Sequence, residues 1–162
     1  MTMTGSFVDE AKALLAMGFS VIPIGRNKRP RIPGATKLER AWNPYRSRYA
    51  DEETLTAWFG EGQRETLAIV CGELSGRRYG GHLVVLDLER RTDHESLRDQ
   101  RDVDAEPAVQ LSPGGGAHTF VISRRSCRNL EVIDPQEPEA SPDRHVGDIK
   151  AEGGYIIVAP SL

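Results

Sequence analysis

The chain has 162 residues, of which 38% are hydrophobic and 28% charged, the size and balance of one compact globular domain with a real core. Its formal charge of −3 argues against indiscriminate polyanion binding but leaves room for local basic surfaces. No apolar run reaches bilayer length, so no membrane partner is expected, and the two cysteines are too few for a disulfide framework or a cysteine zinc site.

The N-terminal stretch MTMTGSFVDEAKALL lacks a basic start, an apolar stretch and a small-residue cleavage site, so a reducing cytoplasm is the expected compartment. Residues 6–18 predict a helix: Ser6 can cap it, Val8, Ala11, Leu14 and Leu15 recur at helical spacing, and Gly18 stands where helices end. FSVIPI reads as a short strand stopped by Pro23 and Gly25, and a basic loop containing GRNKRPR leads to Trp42. DEETLTAWF at 51–59 predicts a second helix, opened by acids that suit its positive end. TLAIVCG at 66–72 reads as a buried strand and SGRRYGGH as a turn. LVVLDLER at 83–90 then reads as a strand buried on both faces. TDHESLRDQ at 92–100 predicts a helix, and AVQL and HTFVIS predict strands flanking a glycine turn. Residues 129–145, rich in Pro, Asp and Glu, predict an exposed loop. GDIKAEGGYIIVAPS predicts a hairpin, with 148–150 on one arm, 152–154 at the turn and YIIVA on the other. Helix–strand units mixed with adjacent strands, and no internal repeat, predict an α+β fold.

Three places concentrate chemistry. Side chains alternate along a strand, so Asp87 and Glu89 point to one side and Leu86 and Leu88 to the other. Two anions so close repel each other unless a cation lies between them. That pattern suits a divalent metal, and it equally suits a strand running out into solvent. SPGGGAH at 112–118 delivers His118 at the start of a strand. Its glycines allow backbone N–H groups to approach a phosphate and an imidazole can add a hydrogen bond; the plain alternative is a flexible hairpin with a surface histidine. Asp148 and Lys150 share a strand face, either as an edge-strand ion pair or as a third carboxylate for Mg²⁺ or Mn²⁺ beside a cation for phosphate. Basic residues bunch at 25–31, 77–78, 90–91 and 123–128, as solvated faces or as a nucleic-acid track.

VVLDLE, Gly116-Ala117-His118 and the later Asp148 in DIKAEGGYIIVAPS, in that order, resemble the primase–polymerase (prim-pol) domain of the archaeo-eukaryotic primase superfamily, found at the N-terminus of plasmid and phage replication proteins. ALLAMGFSVIPIGRNKRP, the Trp42 region, LTAWF and LAIVCGELSG resemble that family's opening half, so the likeness covers nearly the whole chain. It implies a prim-pol core with a mixed or antiparallel sheet, flanking helices and an RRM-like catalytic half, in a single domain over 1–162. It also implies a DNA primase and polymerase that transfers nucleotides from (d)NTPs to a 3′-hydroxyl on a single-stranded DNA template. In that reading Asp87, Glu89 and Asp148 hold two Mg²⁺ or Mn²⁺ ions. Ser112, the Gly115 and Gly116 N–H groups, His118 and Lys150 grip the nucleotide, and Lys28, Arg29, Arg31, Arg124 and Arg125 hold template or primer.

Glu89 stands where many relatives have Asp, and Gly114 where a turn hydroxyl occurs, which removes one phosphate contact. Some relatives insert a zinc-binding stem, whose ligands Cys127 and His145 alone cannot supply. The chain stops at APSL where relatives run on, often into a helicase, so the expectation is a domain excised from a longer replication protein. The rival readings are a nucleotide- or DNA-binding replication module without catalysis, and a metal-dependent nuclease using the same carboxylates.

Overall fold

In the computed structural model, which describes residues 6–36, 40–61, 66–90, 108–112 and 115–158, helix α1 (Phe7–Ala16) opens on a reciprocal cap. The Asp9 N–H donates to Ser6 Oγ at 3.3 Å and the Ser6 N–H to Asp9 Oδ2 at 3.2 Å. Gly18, at a left-handed φ of 92°, turns the chain out of the helix. Side chains from elsewhere satisfy the freed carbonyls: Arg78 donates to Ala16, the Tyr79 hydroxyl to Met17 at 2.8 Å and the Tyr49 hydroxyl to Gly18 at 3.2 Å. In chain order there follow β1 (Ser20–Ile24), α2 (Glu52–Phe59), β2 (Thr66–Val70), the short α3 (Glu73–Gly76), β3 (His82–Leu88) and β4 (Ala108–Leu111). The chain continues through β5 (Ala117–Ser123), β6 (Leu130–Ile133), β7 (His145–Lys150) and β8 (Tyr155–Ile157). Asp51 caps α2 by accepting from the Thr54 N–H at 2.8 Å.

The strands form two sheets, ordered β1-β2-β8 and β4-β5-β3-β7-β6. Every pairing between these strands is antiparallel, and the fold is α+β. The main core gathers Ala11 of α1, Leu55, Trp58 and Phe59 of α2, Val21, Leu67, Ile69 and Ile156 of the smaller sheet, and Leu83 and Val85 of β3. Each large side chain here contributes on the order of 1.5–3 kcal/mol by leaving water. Buried Ser75 ties α3 to this sheet: its hydroxyl accepts from the Ser20 N–H at 2.9 Å and donates to the Val70 carbonyl at 2.6 Å. No helix among the described residues is long and apolar enough to cross a membrane.

Three expectations need correcting. SGRRYGGH is not a plain turn, because it holds the end of α3 and a 3-10 turn at Arg77–Tyr79. Residues 129–145 are not all loop: β6 pairs with β7 as an edge strand. Half-exposure of an edge strand leaves LEVI without the apolar run that marks a central one. The final stretch is not a hairpin. β7 lies between β3 and β6, whereas β8 joins β2 in the other sheet. Gly153, at φ 77°, and Gly154 make the turn, and Asn129 Oδ1 fixes it by accepting from the Ala151 N–H at 2.6 Å. Local turn signals cannot say which sheet a following strand will join. The helix expected over 92–100 lies outside the described residues.

Candidate active site

Strand β3 carries Leu83 and Val85 into the core, and the same face continues to Asp87. The partners of Asp87 in register are His118 on β5 and Asp148 on β7. Gln110 on β4 lies opposite His118, and Glu131 on β6 opposite Asp148. A single row across the five-stranded sheet therefore reads Gln110, His118, Asp87, Asp148, Glu131. Glu89 follows just beyond the end of β3, its N–H bonded to the Val146 carbonyl at 3.0 Å. From His118 to Glu131 the row lies in a cleft of about 960 Å³ that Asp87, Glu89, Ser112, His118, Glu131, Asp148 and Lys150 line from the larger sheet. Lys28 and Tyr155 line it from the smaller one.

Asp87, Glu89 and Asp148 each have a nitrogen partner. His118 Nε2 lies 3.2 Å from Asp87 Oδ1. His145 Nδ1 lies 3.2 Å from Glu89 Oε1, and its Nε2 3.5 Å from Asp148 Oδ1. Lys150 Nζ donates to Asp148 Oδ2 at 2.7 Å. Among the described residues, no three His, Cys, Asp or Glu side chains are already gathered as ligands around one point. His118 is buried, and its Nδ1 is enclosed with no hydrogen-bond partner.

The glycine turn is arranged differently from the expected phosphate cradle. The Gly115 N–H donates to the Ser112 carbonyl at 3.0 Å and the Gly116 N–H to Ser112 Oγ at 3.0 Å, so both donors are used within the turn. A tight turn in a half-buried place has to satisfy its own polar groups first. The glycine at 116 has another reason: a Cβ there would stand 2.3 Å from the Leu88 carbonyl, so only glycine lets β5 begin this close to the end of β3. Pro113 and Gly114 lie outside the described residues.

The basic residues divide. Lys28 lines the cleft, held from behind by the Tyr155 hydroxyl, which donates to its carbonyl at 3.0 Å. Arg29 and Arg31 follow in the same loop, outside the lining. Arg124 and Arg125 are not brought to the carboxylates. They follow Ser123, whose partner on β3 is His82, five residues from Asp87 and roughly 17 Å away along the strand. Sequence reasoning missed Glu131, Asn129 and His145. The alternation in LEVI was the available signal for Glu131; for His145 there was none, because a strand bulge places it.

Burial alone would lower the pKa of His145, but its hydrogen bond to Asp148 and the negative charges of Asp148 and Glu89 hold it above the ordinary 6.5. Burial alone would raise that of Asp148, but the Lys150 hydrogen bond and charge, with His145, hold it below the ordinary 3.8. A histidine raised on folding stabilises the fold below its unfolded value and loses that effect as pH rises through the folded one. A lowered aspartate contributes above its unfolded value and loses that effect as pH falls through the folded one. The cluster in metal-free protein should therefore stabilise most between 3.8 and 6.5. The Tm advantage of the parent over His145→Phe should be present at about pH 5.5 and shrink at about pH 9. A difference that does not change with pH would show that the cluster contributes no such stability.

A protein-family model described as bifunctional DNA primase/polymerase, N-terminal, matches residues 11–162. No curated protein matches the chain significantly.

Proposed function

The chain belongs to the bifunctional DNA primase/polymerase (Prim-Pol) family, and from that premise we propose that its cleft transfers nucleotides from (d)NTPs to a 3′-hydroxyl on a single-stranded DNA template. The observation that carries this reading is the pairing of Asp87 with Asp148 on adjacent central strands, with Glu89 beyond them in one cleft. Carboxylate oxygens are the donors that Mg²⁺ and Mn²⁺ prefer. The donor chemistry of the residues fits two such ions, which Asp87, Glu89 and Asp148 would hold. Bound divalent ions supply activation of the attacking hydroxyl and neutralise charge on the leaving pyrophosphate.

The protein's own groups do the rest. Lys150 offers an ammonium to the polyphosphate beside Asp148, and Ser112 lines the same cleft. His118, held by Asp87, fixes that carboxylate's orientation. Lys28, with Arg29 and Arg31 behind it, faces the nucleic-acid backbone from the smaller sheet, and Arg124 and Arg125 contact it farther along. Catalysis then rests mostly on positioning and charge stabilisation. The proposal includes an archaeo-eukaryotic primase core whose five-stranded half is RRM-like, and a single domain over 1–162 within a longer cytoplasmic replication protein that carries a C-terminal helicase.

The test is incubation with end-labelled primed and unprimed single-stranded DNA, (d)NTPs, and Mg²⁺ or Mn²⁺. Extension of the primed strand is expected, with binding that weakens steeply as salt rises. Retention of DNA without extension would leave a binding module, and metal-dependent shortening of the label would indicate a nuclease.

A further inference from the structure

Strand parity puts His145 on the wrong side of β7. It lies three residues from Asp148, so in a regular strand the two would face opposite ways. The pairing with β6 shifts at this point: Val132 lies opposite Gly147 but Ile133 opposite His145, which leaves Val146 as an extra residue. Such a bulge reverses the alternation on one side of itself. His145 thereby reaches the acidic face, and the bulge is anchored there by the hydrogen bond from the Glu89 N–H to the Val146 carbonyl at 3.0 Å.

One imidazole now spans two carboxylates, Nδ1 on Glu89 at 3.2 Å and Nε2 on Asp148 at 3.5 Å. Lys150 holds the other oxygen of Asp148. Glu89 lies past the end of its strand with a side chain 62% exposed, so a tie to Asp148 removes much of its rotamer freedom. We infer that His145 is a positioning residue that braces Glu89 against Asp148 and so pre-assembles the acidic face for divalent ions, an inference that rests on the metal-dependent reading above. Partners that orient ligating carboxylates set metal affinity by roughly 10–100-fold.

Mn²⁺ titrated into the protein and followed by the electron paramagnetic resonance of the free ion tests this without turnover. His145→Phe keeps a ring of similar bulk and removes both nitrogens; His145→Gln keeps an amide that can donate. The expected result is Mn²⁺ binding weakened by about 10–100-fold in His145→Phe and partly restored in His145→Gln. In primer extension, saturating Mn²⁺ should return most of the kcat of His145→Phe and leave its KM for nucleotide near the parent's, which a general loss of folding would not do. Mn²⁺ binding by His145→Phe as tight as the parent's, or tighter, would overturn the inference and make His145 only a counter-ion. If the parent itself binds no Mn²⁺, the metal-dependent reading falls, and this inference falls with it.

Discussion

Asp148→Asn should lose nucleotide incorporation at every nucleotide concentration, whereas Lys150→Ala should lose only part of it and recover as nucleotide is raised. The two side chains stand on one face of β7 and are hydrogen-bonded to each other at 2.7 Å, so a merely structural role would predict similar failures. Asparagine keeps the size of Asp148 and most of its hydrogen bonding but not the charge that a hard divalent ion requires. A loss on the order of a thousandfold in kcat is expected, the scale seen when one electrostatic stabiliser is removed from a reacting centre. Lys150→Ala leaves all three carboxylates in place and removes a phosphate contact. If that contact forms in the ground state as well as in the transition state, its loss appears mainly in KM. Steady-state incorporation measured over a wide nucleotide range separates the two patterns. Parent-like incorporation by Asp148→Asn would reduce Asp148 to a strand acid paired with a lysine.

The second large effect is expected from one methyl group. Gly147 lies opposite Leu88 in the β3–β7 ladder, and a Cβ there would stand 2.2 Å from the Asp87 carbonyl and 3.0 Å from Leu88 Cα. Both obstacles are backbone, so no side-chain rotation relieves the contact. Gly147→Ala must push β7 away from β3 beside the pair formed by Asp87 and Asp148, and it disturbs the bulge that carries His145. Overpacking of this kind costs about 1–3 kcal/mol, and a domain of this size loses roughly 2–4 °C of Tm per kcal/mol. Urea unfolding and thermal melts should show that loss. Mn²⁺ binding should fall even under conditions where the variant is fully folded, because the two carboxylates are displaced from each other. A variant as stable as its parent, with unchanged Mn²⁺ affinity, would mean that the strands can separate at that point without moving the site.

By itself, the sequence determined the features whose cause is local. The spacing of Val8, Ala11, Leu14 and Leu15, the Ser6 cap and Gly18 mark α1, because a helix is closed by bonds between near neighbours. The apolar run ending in Asp87 and Glu89 marks β3 and gives the two acids one face, because pleating alternates side chains whatever lies beside the strand. Tertiary structure alone decided what those acids meet. Register across β3 and β7 put Asp148 opposite Asp87, and no residue spacing within either segment encodes that alignment. The Gly153–Gly154 turn sent β7 and β8 into different sheets, although the same letters suit a hairpin equally well. Gly115 and Gly116 keep their N–H groups for Ser112, since a turn packed against the end of β3 has to close its own hydrogen bonds. The Val146 bulge reversed the parity that would have turned His145 away. Arg124 and Arg125 read in sequence as part of a basic track, but they follow the end of β5 paired with His82 rather than with Asp87. Local patterns fix which side of a strand a residue occupies, whereas distances between strands depend on register and bulges, which are set by pairing with chain segments far away in sequence.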